Sequence, residues 1–381
     1  MALRRLSTTR NRSIILKILS VLSSMKVDKL GLRRRLALEI WRKLEGDNVK
    51  SHPLRQLFWE CTLRCNLNCR HCGSDCKMVA QQKDMPLEDF LGVLENIAAH
   101  TDPHKVFVII TGGEPLMRTD LEQCGRAIYD RGFPWGMVTN GLAMTRTRFE
   151  RLLASGMHTA TVSLDGLEED HNYMRGNENS FRTASDAIAM MAAERDFVFD
   201  VVTCVTQRNI DKLDTIKEHL LSLGCTQWRL FTVFPVGRGA TDDKLQLSSA
   251  QMRQLMDYIV RTRKEGRISV QYGCEGFLGA YEGNVRDRFF ACQAGITVGS
   301  VLVDGSISAC ASIRADYHQG NIYKDDFWQV WTTRFAPYRN REWMRKDECA
   351  DCKYFRYCNG GGMHLRDENG KLILCHLNKM K

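Results

Sequence analysis

From about residue 55 onward, short runs of β-branched and aromatic residues alternate with stretches whose apolar positions recur every three or four residues. The runs QLFWECT (56–62), KVFVIIT (105–111), WGMVTN (135–140), TATVSLD (159–165), FDVVTCVT (199–206) and QWRLFTVF (227–234) read as six strands. Helical periodicity, opening at capping-type residues, fills the intervals near 86–99, 119–131, 145–155, 180–194 and 211–223, with a further helix near 248–265. Such alternation predicts an α/β fold, a parallel sheet with helices on its outer face. Several strands run into glycine-bearing turns, TGGEP, TNG, SLDG and FPVGRG. Ligands in such folds gather at the C-terminal ends of strands, so the turns are where a site is expected.

The pattern changes at both ends. After residue 266 helical periodicity weakens except near 325–343, glycine is dense, and seven cysteines fall between Cys274 and Cys375. A segment with so few apolar residues of its own is expected to fold around metal centres. Before residue 55, Ile14, Ile15, Ile18, Leu19, Leu22 and Met25 recur at helical spacing beside Lys17 and Lys26, with Arg33 to Arg35 beyond. The chain therefore divides into a basic amphipathic helical arm (1–54), a strand–helix unit (55–266) and a loop-rich unit (267–381).

Charge sharpens that division. The 381 residues carry a formal charge of +9, and residues 1–50 hold 13 of the basic and 4 of the acidic side chains, which accounts for all of it. The remaining body is neutral, which disfavours a general polyanion binder, and no nucleic-acid partner is expected. No uncharged apolar run approaches the ~18 residues of a membrane-spanning helix. The basic start followed by IILKILSVLSS mimics a signal peptide, but Lys17 interrupts it, and a cysteine-rich metal protein is a poor candidate for export. A cytoplasmic protein is expected. A basic amphipathic arm packs on the body, touches an anionic membrane surface at its inner face, or binds an acidic peptide.

Fifteen cysteines in a chain long enough to need no disulfide staples, and odd in number, point to metal ligation. The sharpest cluster is CNLNCRHC, with Cys65, Cys69 and Cys72 just after the first strand. Three thiolates on a tight loop leave one iron of a cubane cluster without a protein ligand, whereas a zinc site more often shows paired Cys-x2-Cys knuckles. The loop resembles the signature of the radical S-adenosylmethionine (SAM) superfamily, with His71 in the aromatic-type position before the last cysteine. TGGEP (Thr111 to Pro115), Ser163 and Asp165 after the fourth strand, and VGRG after the sixth extend the resemblance over residues 55–245. It implies a partial (β/α)6 TIM-like barrel and a [4Fe-4S] cluster whose open iron chelates SAM. By the same resemblance Gly112, Gly113 and Glu114, followed by Pro115, meet the SAM ammonium, Ser163 and Arg175 hold its carboxylate or ribose, Asn140 faces the nucleoside, and Val236 and Gly237 line the adenine. Arg175 also reads as a surface or loop-fixing residue, and Asp165 as a turn former before Gly166.

Later, Cys292 is followed by Gly305 and Cys310, then by Cys349-x2-Cys352-x5-Cys358 and a distant Cys375. This resembles the SPASM domain, which implies one or two auxiliary [4Fe-4S] clusters. By analogy Cys349, Cys352, Cys358 and Cys375 form one complete ligand set. The family's further cysteine, four residues after Cys358, is replaced by Gly362, so the other set is Cys292, Cys310 and, at an unusually wide spacing, Cys274. Its fourth iron is then open, or ligated by His364 or by substrate.

The resemblance implies an enzyme that modifies a peptide or protein through a deoxyadenosyl radical, with electrons supplied by a flavodoxin- or ferredoxin-type partner. Alternatives are dehydrogenation of a small molecule, a sulfatase-maturing activity, which is disfavoured because Ala311 follows Cys310 where those relatives carry Asp, and, outside enzymes, a zinc-stapled nucleic-acid binder. No catalytic base is identifiable from the sequence.

Overall fold

The structure is a computed structural model and describes residues 27–381. The helix expected over residues 14–25 lies outside the described residues. The first described helix is α1 (Leu32–Ser51), and α2 (Leu87–Ala98), α3 (Leu121–Asp130), α4 (Arg146–Ala154), α5 (Glu168–Arg175), α6 (Ser180–Ala192), α7 (Leu213–Ser222) and α8 (Ser249–Glu265) follow. They alternate with strands β1 (Gln56–Thr62), β2 (Phe107–Gly112), β3 (Trp135–Thr139), β4 (Met157–Ser163), β5 (Val198–Val205) and β6 (Gln227–Thr232). The six expected strands form, all parallel and paired in sequence order.

Two features of the sheet were not expected. A seventh strand, β7 (Ser269–Tyr272), follows residue 266 and pairs parallel with β6. Beyond it, β8 (Val298–Val301) pairs parallel with the other edge of β1, and β9 (Ser306–Ser308) and β10 (Gly320–Asn321) continue antiparallel. The result is one open ten-stranded sheet, ordered β10-β9-β8-β1-β2-β3-β4-β5-β6-β7. The cysteine-rich C-terminal region is thus sewn onto the first strand by backbone hydrogen bonds. The helix α9 (Phe327–Thr333) covers this added edge, its Trp331 fully buried near Gly299 of β8.

Local chemistry explains the elements. Helix α8 opens on a capping box of Ser248 and Gln251 and stops at Gly266, whose φ of 71° ends the helix in the left-handed region. On the helix-facing side of the sheet Trp59, Trp135 and Trp228 are fully buried, and their indole N–H groups donate to Met85 sulfur, the Ser155 carbonyl and the Thr203 hydroxyl. Trp59 also stacks on Phe90 of α2, with ring centroids 4.3 Å apart. Each large ring therefore keeps its polar atom paired while filling the core.

Helix α1 packs on the C-terminal region through Tyr357 and Arg356, both bonded to Glu39, and through Gln293, which donates to Glu45. It leaves Leu32, Leu36, Ile40 and Leu44 exposed at four-residue spacing. Among the described residues no helix is long and apolar enough to cross a membrane.

Glu60 of β1 is only 3% exposed, and Arg314, four residues beyond Cys310, pairs with it at 2.8 Å. Removing one partner of a buried pair strands the other. Because Arg314 is about a quarter exposed, Arg314→Ala is expected to cost about 2–3 kcal/mol, below the full penalty of a wholly buried pair. A lower midpoint in denaturant titration checks this, and an unchanged midpoint would contradict the account of the seam.

Candidate metal centre and cofactor site

Cys65, Cys69 and Cys72 lie on the loop leaving β1, and the strand-end turns press that loop into place by backbone contact. A Cβ at Gly112, whose φ is 140°, would lie 2.1 Å from the Thr62 carbonyl oxygen, and one at Gly113 would lie 2.2 Å from that of Arg64. The glycines of TGGEP therefore admit the cysteine loop itself, beside whatever approach they allow to a ligand. The turn after β6 behaves in the same way. Gly237, at φ 57°, abuts the carbonyl oxygens of Gly73 and Cys72, and the Arg238 N–H donates to Cys72 O at 3.0 Å.

The three thiols face a cavity of about 150 Å³, which His71, Gly112, Gly113, Glu114, Asn140 and Ser163 also line, together with Arg175 and Arg238. Burial pushes the Cys65 thiol up to about 12 and raises that of Cys69, although Arg175 pulls the latter back. Cys72 is held well below the usual thiol value, chiefly by a hydrogen bond from the Cys76 thiol. Cys76 lines the same cavity, whereas sequence reasoning treated it as a mere neighbour.

Several of the residues expected to contact SAM already have partners within the protein. The Glu114 carboxylate is buried and already accepts from the Leu116 N–H at 3.1 Å, the Thr139 hydroxyl at 2.8 Å and the Asn140 N–H at 2.7 Å. Pro115 starts the short turn that this carboxylate caps. Asn140 turns its side chain to the cysteine loop, donating to Asn66 at 2.8 Å with Cys65 sulfur 3.9 Å away. Arg175 is buried, with Nε 2.7 Å from the Asp165 carboxylate and a terminal nitrogen 3.7 Å from Cys69 sulfur. Burial would raise Asp165, but Arg175 and then His71 hold it down to about 2. It sits behind the cavity wall, bracing Arg175. Val236 does not line this cavity, and the residue of that turn which does is Arg238.

The cavity fits a three-thiolate cluster with a polar molecule at its open face. Its three thiols share one cavity, and His71 Nδ1 beside it is buried without a hydrogen-bond partner.

In the C-terminal region Cys349, Cys352, Cys358 and Cys375 line one cavity of about 400 Å³. Burial raises the Cys358 thiol, and the other three add to the effect, which places all four as neighbours. Arg366, buried, reaches within 3.4 Å of Cys349 sulfur. Cys274, Cys292 and Cys310 form a second group. Burial pushes Cys274 to about 12, with Cys310 and Cys292 adding to the rise. Cys274 keeps accessible surface within this group. The wide spacing before Cys292 thus does not separate it from the set.

Arg238 is the residue that sequence reasoning missed. Its Nε donates to the Cys69 carbonyl at 2.7 Å and its terminal nitrogens lie 3.4 Å from that of Cys76, so one guanidinium clamps both sides of Cys72. Losing a charged donor costs about 1.5–3 kcal/mol, or roughly 10–100-fold in an equilibrium. Arg238→Ala is therefore expected to release iron from the Cys65/Cys69/Cys72 loop to a chelator at least about tenfold faster than the unmodified protein. Iron release at the original rate would contradict the clamp.

Comparison with known proteins agrees with this geometry. A family model described as the radical SAM superfamily matches residues 59–220, and one described as SPASM, an iron-sulfur cluster-binding domain, matches residues 292–353. The chain is 26% identical over 324 residues to the AdoMet-dependent heme synthase of Methanosarcina barkeri, covering 80% of this chain and 90% of that protein. It is 29% identical over 311 residues to the mycofactocin maturase MftC of Mycolicibacterium smegmatis, covering 81% and 77%. Among solved structures it resembles Streptococcus suis SuiB bound to S-adenosylmethionine, with a TM-score of 0.64, 17% identity and coverage of 92% and 83%. It also resembles anSMEcpe with bound AdoMet, with a TM-score of 0.67, 19% identity and coverage of 86% and 94%. At such identities these two structures speak for the fold. The first match contains Cys65, Cys69 and Cys72 and the second contains Cys292, Cys310, Cys349 and Cys352, so this chain carries the radical SAM and SPASM domains of an enzyme that works with a [4Fe-4S] cluster, SAM and auxiliary iron-sulfur clusters.

Proposed function

We propose that this enzyme takes a hydrogen atom from a peptide or protein substrate and that its auxiliary clusters accept the electron released as the product forms. The observation that carries this reading is the seam at the end of β6. Phe234 packs on His364 of the C-terminal region, with ring centroids 4.4 Å apart, while the turn three residues later rests on Cys72 and Gly73. The loop that carries Cys72 and the C-terminal region therefore meet at a single strand end. A second tie, Glu60 with Arg314, joins β1 to the loop after Cys310.

When bound, the first cluster and SAM supply the carbon-centred radical that removes hydrogen from an unactivated carbon. The chain's own residues hold the parts. Arg238 and the two glycine turns fix the cysteine loop, Arg175 places a positive charge beside Cys69 sulfur, and Asp165 keeps that arginine oriented. Loss of hydrogen, then of one electron and one proton, leaves a crosslink or a double bond. A flavodoxin- or ferredoxin-type protein is proposed as the reductant. Peptide chemistry is favoured by the likeness to mycofactocin maturase MftC across 81% of this chain.

A second reading rests on the heme synthases and the Fe-coproporphyrin III synthase among the relatives, the latter 26% identical over 337 residues. In that case the substrate is an iron porphyrin. Anaerobic assays with reductant and SAM separate the two readings. The expected result is that 5'-deoxyadenosine forms faster with a cognate peptide, which loses hydrogen by mass. Stimulation by iron-coproporphyrin alone would overturn the peptide reading.

A further inference from the structure

Gly362 stands where the SPASM pattern has a cysteine. Its φ of −69° and ψ of 138° suit any residue, so backbone freedom does not explain the glycine. Its surroundings do. A Cβ at Gly362 would lie 2.6 Å from Cε1 and 3.0 Å from Nδ1 of His364, and 2.8 Å from the carbonyl oxygen of Glu275. The imidazole of His364 thus occupies the space into which a cysteine side chain at 362 would project.

The residues around that ring adjoin the three-cysteine set. Glu275 directly follows Cys274, and the backbone of Met363, next to His364, lies close enough to influence Cys292. Cys292 and Cys310 are in turn close enough to influence Cys274. The Nε2 atom of His364 is shut off from solvent and has no hydrogen-bond partner. A buried polar nitrogen without a partner calls for one. Imidazole is a common metal ligand, and histidine is known to replace cysteine on iron in some iron-sulfur centres, where it raises the reduction potential.

Resting on the reading that Cys274, Cys292 and Cys310 hold an auxiliary [4Fe-4S] cluster, we propose that Nε2 of His364 is its fourth protein ligand. A neutral imidazole in place of a thiolate removes one negative charge from the site. The cluster so held is a better acceptor for an electron arriving across Phe234 from the SAM side.

The test uses full-length protein reconstituted anaerobically, reduced, and kept free of SAM, so that no SAM nitrogen lies on iron. Three cubanes correspond to about twelve irons. The expected result is about twelve irons and a strong nitrogen hyperfine coupling in pulsed EPR that changes when histidine is labelled with 15N and vanishes in H364A. The double variant G362C/H364A puts the family's cysteine where the ring stood, leaving the Glu275 carbonyl, 2.8 Å from the added Cβ, to shift. It is expected to keep its iron, lack the nitrogen coupling, and show a lower auxiliary midpoint potential than the original protein. About twelve irons with no nitrogen coupling, or a coupling that survives in H364A, overturns the ligand alone. A content near eight irons in the unmodified protein overturns the two-auxiliary-cluster reading and the proposal with it.

Discussion

The structure depends on a close approach of backbone to backbone around the loop after β1. Gly112, Gly113 and Gly237 each bring a strand-end turn so near the cysteine loop that a single added methyl group would overlap a carbonyl oxygen. Three short thiol side chains can meet one cluster only if their loop is held from several sides, and these turns, with Arg238 across them, do the holding. The parallel sheet matters because it delivers the ends of β1, β2 and β6 to one rim. The surrounding charges then follow from position. Arg175 beside Cys69 is braced by Asp165, and Glu114 closes the turn that carries Asn140 against Asn66.

The second consequence of the sheet is that the C-terminal region shares it. Because β8 hydrogen-bonds directly to β1, the strand that launches the cysteine loop is central, flanked on one side by the SAM-side strands and on the other by the auxiliary-cluster region. The buried pair of Glu60 and Arg314 and the Phe234–His364 contact tie the same two regions through side chains. Auxiliary centres can serve radical chemistry only if their placement relative to the first cluster is fixed, and a shared sheet fixes it more firmly than a linker would.

Much of this was legible in the residues. The period-two and period-3.6 patterns located all six expected strands and their helices, and the cysteine spacings grouped Cys65 with Cys69 and Cys72 and Cys349 with Cys352 and Cys358, because both signals are local. What stayed hidden was non-local or unpatterned. The β1–β8 pairing joins segments some 240 residues apart in the chain, and four-residue β7 and β8 offer too few positions for alternation to show. Helix α5 has eight residues and begins with Glu168, Glu169 and Asp170, so its apolar face is too short to read. Arg238 lies in a turn, where no periodicity marks it as a clamp. The double use of the TGGEP glycines and of Glu114 was invisible because the residues they touch, Thr62, Arg64, Thr139 and Asn140, become neighbours only in the folded sheet.

The central claim is that Cys65, Cys69 and Cys72 hold a cluster whose open iron takes SAM, apart from the centres held near the C-terminus. EPR of the reduced protein before and after adding SAM tests it most directly. The expected result is that SAM shifts one cluster signal while the auxiliary signals keep their positions, and that this shift is absent in Cys72→Ala. A spectrum indifferent to SAM in protein that carries all its iron would contradict the account.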